Sequence, residues 1–254
     1  MSDSVFMIEP SKIYAVWLRE IKRFLNSKSR IIGSLGMPFF FMIALGFGFG
    51  SMMPGSNYQI FIIPGIICMS LLFTSIFAGV SIIWDRDMGF LKEMLVAPTD
   101  RINLVIGRIL GGATTATAQG IIIAILGILL GLPIPSLLNA VLALALMIAT
   151  SSIFVAFGIA IASVVYEMET FQLIMNFVIM PILFLSNTFF PAENLPSWMQ
   201  AISNSNPLSY AVDSMRFLLL GQSSFNIMSN VSVLAVFLAG FVLIAAYLFD
   251  RTSI

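Results

Sequence analysis

The basic residues of this chain are sorted to one side of a membrane that its own apolar runs define. Six runs, Ile31–Gly50, Ile60–Ile83, Ile109–Gly131, Leu137–Ser163, Phe171–Phe190 and Val231–Phe249, are each long enough to cross a hydrocarbon core of roughly 30 Å as a helix. Lipid offers no partners to backbone amides, so only helices and closed barrels span it, and runs of this length without strand alternation are helices. Lys12, Arg19, Lys22, Arg23, Lys28 and Arg30 precede the first run, Arg86, Lys92, Arg101 and Arg108 lie between the second and third, and Arg251 follows the last. Arg216 alone falls on the other side, so eleven of twelve cations share one face. Basic loops stay in the cytoplasm, which places both termini there in a multi-pass cell-membrane protein. The expected fold is an all-α polytopic membrane protein with six transmembrane helices. It forms a single transmembrane domain over residues 1–254: a cytoplasmic N-terminus at 1–30, the spans over 31–249, and a cytoplasmic tail at 250–254.

Several function classes are disfavoured at once. The chain is 59% hydrophobic and 9% charged, against about 25% charged in soluble domains, and no extramembrane stretch is long enough for a second core. No basic cluster with interleaved aromatics suggests a nucleic-acid partner. Histidine is absent, which removes the commonest general base and metal ligand. Cys68, the single cysteine, makes neither an intrachain disulfide nor a cysteine metal site and reads as a small buried hydrophobe. No charge lies in the middle of a span, which argues against a proton-driven carrier and, with histidine gone, against an intramembrane enzyme. No GxxxxGK[ST] occurs, so the chain binds no nucleotide through a P-loop, and ATP would have to be hydrolysed by another chain. The charged first thirty residues read as a retained segment and not as a cleaved signal.

Lys12 to Asn26 reads as an amphipathic helix in the headgroup plane. Ile13, Trp17, Ile21 and Phe24 form one face, and Lys12, Arg19, Lys22, Arg23 and Asn26 lie opposite. It is either an anchor or a lever that moves the first span. In the third span Gly107, Gly111, Thr115 and Ala118 present a small-residue surface for close helix approach. Thr74, Ser75, Asn176 and Asn187 either line a translocation route or bond across helices.

Two segments exceed what connection requires. The inner one runs through Arg86, Asp87, Met88, Gly89, Phe90, Leu91, Lys92, Glu93, Met94 and Leu95 to Pro98. Asp87 to Leu95 fits two helical turns with an apolar stripe at Met88, Leu91 and Leu95, and Pro98 ends the element. Such a helix suits either a groove on a partner protein or the headgroup layer. The outer segment runs from Pro191 through Pro196 and Trp198 to Asn206, Pro207, Tyr210, Asp213, Arg216 and Gly221. Asn206 as N-cap, Pro207 at the first helical position and Gly221 at the end define a short helix. Asp213 and Arg216, three apart, are positioned to pair across one turn. A pair of short helices dipping into the outer leaflet accounts for this composition.

These residues resemble a family, the membrane permeases of type-2 ATP-binding-cassette (ABC) exporters, which include drug-resistance, nodulation-factor and polysaccharide export permeases, with the drug-resistance branch nearest. The specific part is the outer pattern of Phe190, Pro191, Pro196, Trp198, Asn206, Pro207, Leu208, Tyr210, Arg216 and Gly221. The inner segment departs from the family's frequent Thr-Leu-Glu after the glycine, having Phe90-Leu91-Lys92-Glu93. The resemblance implies that Asp87 to Leu95 is a coupling helix seated in a separate ABC ATPase subunit. Arg86, Asp87, Gly89, Leu91, Lys92, Glu93 and Pro98 would then receive its motion. It implies that the outer helices form a re-entrant pair closing the exit, with Pro191, Pro196, Trp198, Pro207, Tyr210, Asp213, Arg216 and Gly221 as gate residues. Two permeases, a homodimer or a related heterodimer, would pair with two ATPases that carry ATP and Mg, this chain binding no cofactor. The expected function is export of a lipophilic drug, lipid or glycolipid-type substrate. An ion-gradient carrier and a non-transporting membrane scaffold are the alternatives.

Overall fold

The computed structural model describes residues 9–52, 58–89, 100–191 and 195–251. Among them there is no strand. The helices are α1 (Pro10–Leu25), α2 (Lys28–Met52), α3 (Tyr58–Asp87), α4 (Arg101–Leu129), α5 (Leu137–Val164), α6 (Met168–Phe184), α7 (Ser197–Ser203), α8 (Pro207–Leu220) and α9 (Ile227–Asp250). Five of these, α2 to α5 and α9, are long and apolar enough to cross a membrane. The helices alternate in direction, so that α1, the end of α3 and the start of α4 share one end with the end of α9. The start of α3, α7 and α8 share the other end with the start of α9.

Burial sorts the bundle. The apolar window of α3 is 78% buried, against 17% in α2 and 11% in α9, so α3 is the axis and α2 and α9 are its flanks. Glycine makes the centre possible. A Cβ on Gly79 would stand 2.5 Å from the Val155 carbonyl oxygen, and one on Gly158 would stand 2.7 Å from that of Ile76. Helices α3 and α5 therefore cross backbone on backbone, the close approach that small residues permit in lipid, where no hydrophobic drive pulls helices together.

The fifth run is shorter than its hydropathy suggests. Helix α6 covers Met168–Phe184, about 25 Å at 1.5 Å per residue, and contains a π-helical turn at Met175–Ile179 and Pro181. From Leu185 the chain leaves the helix while Ser186, Asn187, Thr188 and Phe189 are still buried. Helix α4 is longer than the third run, beginning at Arg101, so Arg108 is a helical residue and not part of the inner connection.

Helix α1 lies on the bundle as well as at its edge. Gly107 and Gly111 of α4 form its seat: a Cβ there would meet the Val16 Cβ at 2.7 Å and the Glu20 Cβ at 2.6 Å. The small-residue surface expected on the third span is thus real, and its occupant is the amphipathic helix. Its polar continuation is Thr114, whose hydroxyl accepts from the Trp17 indole at 3.1 Å. Thr115, expected on that face, is buried elsewhere and donates to the Gly112 carbonyl.

Candidate functional site

At the α1 end, three helices converge on one carboxylate. Asp85, on the last turn of α3, accepts from Arg23 at 3.0 Å, from Arg19 at 3.3 Å and, in a short contact, from Arg108 of α4. Glu20 pairs with Arg19 at 2.6 Å and faces Arg108 at 4.0 Å. The Arg108 guanidinium also reaches the Ser81 hydroxyl at 3.4 Å. Burial works against the charge of Arg19, but the Glu20 and Asp85 carboxylates outweigh it and hold its pKa above the usual arginine value. Arg19 and Arg23, expected on the solvent side of α1, instead face the bundle. Sequence reasoning left Glu20 unremarked, although an acid at helical spacing from Ile13 and Trp17, on an otherwise apolar face, is the sign of a buried partner.

Two further arginines knit this end. Arg86 donates to the Val165 and Ala162 carbonyls at 3.2 and 3.1 Å and stacks over Tyr166, so a cation caps the negative end of α5. Arg101 does the same for α9 through the Phe249 and Asp250 carbonyls. Helix α3 then stops. Asp87 is its exposed last residue, Met88 is a turn, and Gly89 has φ +79°. Asp87, expected to open a separate helix, is instead the last residue of α3, and Gly89 follows it with left-handed backbone; the rest of the helix expected over Asp87 to Leu95 lies outside the described residues. Leu91, Lys92, Glu93 and Pro98 lie outside the described residues.

Among the described residues the other end has no comparable ion pair. Arg216 of α8 is buried, and donates to the Asn187 and Thr188 carbonyls at 2.7 and 3.0 Å with its guanidinium 3.9 Å from the centre of the Phe61 ring. Tyr58 donates to the Phe189 carbonyl at 3.0 Å, the Asn206 amide to that of Ile182 at 2.6 Å, and the Ser186 hydroxyl to that of Leu183 at 2.6 Å. These donors satisfy the carbonyls freed where α6 ends, which is how non-helical backbone survives at membrane depth. The turn is pressed onto α3: a Cβ on Gly65 would stand 2.3 Å from the Thr188 oxygen.

Asp213 does not pair with Arg216. It accepts from the Ser223 hydroxyl at 2.7 Å, the Ser224 amide at 2.7 Å, the Phe225 amide at 3.3 Å and the Asn230 side chain at 2.8 Å, fastening the loop between α8 and α9. Local spacing permitted the ion pair, but several hydrogen-bond donors compete for the acid. The caps are as the sequence indicates: the Asn206 side chain accepts from the Leu208 amide, Pro207 opens α8, and Gly221 closes it at φ +71°. Tyr210 donates to the Asn204 carbonyl at 2.5 Å. Pro196 precedes α7, where Trp198 is exposed, and Pro191 ends the turn after α6.

The four pathway candidates share no common partner. Thr74 donates to Gln119, which donates to Ser34, a tie across α3, α4 and α2. Among the described residues, Ser75 is buried with its hydroxyl unpaired, Asn187 is buried beside Arg216's contacts with both amide atoms unpaired, and Asn176 is exposed on the π-turn of α6. Gln119, which links three helices, was not singled out from sequence because its partners come from separate runs.

The family profile described as "ABC-2 type transporter" matches residues 11–220, and the chain belongs to that family. It is 28% identical over 243 residues to Nodulation protein J of Rhizobium leguminosarum bv. viciae, covering 93% of each chain. It is 26% identical over 245 residues to the Inner membrane transport permease YadH of Escherichia coli K12, covering 93% of this chain and 94% of that one. It is 28% identical over 214 residues to the Daunorubicin resistance ABC transporter permease protein DrrB1 of Streptomyces coeruleorubidus, covering 82% of this chain and 74% of that one. It is a multi-pass membrane protein of the transport-permease kind.

Proposed function

We propose that this ABC-2 family member is the membrane subunit of an ABC exporter, with its α1 end in the cytoplasm. Two copies pair with two ATPase subunits, and ATP with Mg is hydrolysed there and not on this chain. The substrate class is a lipophilic drug, a lipid or a glycolipid. The observation that supports this reading best is the Asp85 cluster. A push on the chain where it leaves α3 at Asp87–Gly89 is delivered two residues from a carboxylate that binds α1 and α4 to α3. Breaking such buried pairs costs several kcal/mol, so these helices move together and are not strained apart. Leu91, Lys92, Glu93 and Pro98 would seat in the ATPase. At the far end the α6 turn and α8, closed by Arg216, serve as the exit lid.

Gly89→Pro tests the coupling, because proline fixes φ near −65° against +79° here. In proteoliposomes holding the permease with its ATPase, the variant should still bind the ATPase. It should lose at least tenfold in ATP-driven movement of a fluorescent lipophilic probe. Transport that survives ATP depletion and collapses with an ionophore would overturn the proposal in favour of a gradient-driven carrier.

A further inference from the structure

We infer that α2 is divided into two arms at Ser34–Pro38 and that Gln119 is the positioning residue that pins the point of division. Residues 28–34 then belong to the α1–α3–α4 block, and residues 39–52 bend with the turn after α6. The division stands apart from the export reading, and only its use in transport rests on that reading. Two independent features meet at Ser34. Proline has no backbone N–H, and its ring crowds the carbonyl four residues back, so Pro38, inside α2, removes the helical bond to the Ser34 carbonyl. Long helices bend at proline and at Gly/Ser pairs, and Gly33-Ser34 and Pro38 fall within two turns. At the same place Gln119 reaches across from α4. Its side chain donates to the Ser34 hydroxyl and accepts from Thr74 of α3. The Ser34 hydroxyl in turn donates to the Ile31 carbonyl at 3.0 Å, which ties the pin to the inner arm and not to the outer one.

The two arms are held by different kinds of contact. Gln119 is 1% exposed, at a depth where hydrocarbon offers its amide no other partner, so the pin persists while the helices around it move. The inner arm is fixed at its other end too: Asn26 and Ser27 alone separate it from α1, which the Asp85 cluster binds to α3 and α4. Secured at both ends, it cannot turn by itself. Beyond Pro38 the contacts are carbon on carbon. The Phe41 ring lies 5.9 Å from that of Phe189, Met42 is buried, and a Cβ on Gly46 would stand 3.4 Å from the Gln59 Cγ. Such contacts have no preferred direction and slide where a hydrogen bond does not. Phe189 belongs to the turn that Tyr58 and Arg216 hold through its carbonyls. The outer arm is therefore continuous with the exit turn, the inner arm with the charged corner, and the boundary between them is Gln119.

The test uses the full chain in nanodiscs, spin-labelled at Val236→Cys of α9 and at either Ile32→Cys of the inner arm or Phe47→Cys of the outer arm, all exposed positions, while Cys68 is fully buried. Labelled protein is diluted about tenfold with unlabelled protein, so that double electron–electron resonance reads distances within one chain. The outer-arm distribution should be at least twice as wide as the inner-arm one. Gln119→Leu should widen the inner-arm distribution to match the outer and leave the outer unchanged. Ser34→Ala should copy that effect, and Ser34→Thr, which keeps the hydroxyl, should not. Pro38→Ala, which returns the backbone N–H, should narrow the outer arm to the inner arm's width. Equal widths for the two arms in the native sequence, equal widening of both by Gln119→Leu, as a merely structural bond would give, or an outer arm indifferent to Pro38→Ala would each overturn the inference. The measurement contains no ATPase, so its outcome is decided whether or not the chain exports.

Discussion

Arg108 and Arg216 are both guanidinium groups buried in one bundle, at 2% and 4% exposure, and they are held by opposite means. Arg108 meets two carboxylates, Asp85 and Glu20, on two other helices. Arg216, among the described residues, meets carbonyl oxygens and an aromatic face. A carboxylate holds its partner by charge, at a range and strength that make the α1–α3–α4 corner a single block. Carbonyls hold theirs by shape: Arg216 is satisfied only while the turn after α6 keeps two oxygens aimed at it. One end of the molecule is built to transmit displacement without deforming, the other to be stable in one backbone conformation and to lose its bonds in another.

The contrast can be broken most forcefully at Asp85. Asp85→Ala leaves three guanidinium groups around Glu20 alone and should destabilise by about 3–5 kcal/mol, the usual effect of orphaning a buried charge, seen as a lower unfolding midpoint in detergent. The double substitution Asp85→Leu with Arg108→Met should recover most of that loss, because Arg19 keeps Glu20 and the partly exposed Arg23 is left to water. Next comes Arg216→Ala, which frees two buried carbonyls at about 1–3 kcal/mol each. Its loss should be accompanied by faster hydrogen exchange at residues 185–189 and unchanged exchange in α1. Gly79→Ala, between the two ends, sets a Cβ against the α5 backbone and should cost about 1–3 kcal/mol as overpacking, with the α3–α5 contact distance lengthened in double electron–electron resonance. The smallest effect belongs to Trp17→Phe, which deletes the bond to Thr114 and should cost about 0.5–1.5 kcal/mol without altering the Asp85 cluster.

What could be read from the sequence was what depends on neighbours along the chain. Asn206, Pro207 and Gly221 delimit α8 as their cap chemistry requires, and the apolar runs locate all the long helices. The short α6 was hidden, because hydropathy measures how apolar Leu185–Phe190 is and not whether its carbonyls are bonded within a helix. The Asp85 cluster was hidden for a different reason: Glu20, Asp85 and Arg108 come from three segments, and nothing local says that they meet. Asp213 and Arg216 show the reverse error, since adjacency on a helix suggested a pair that more distant donors, Asn230 and Ser223 among them, pull apart. The small-residue face of α4 was visible in sequence while its occupant, α1, was not.

The Gly79–Gly158 crossing gives the bundle a pivot. Where two backbones touch with no side chains between them, sliding is blocked and rocking is not. Measured from Gly79 at 1.5 Å per residue, the arm of α3 to Asp87 is about 12 Å and the arm to Gly65 about 21 Å. A see-saw with those arms returns an ångström of tilt at the charged corner as nearly two at Gly65, in the opposite sense, against the very carbonyl of Thr188 that Arg216 grips.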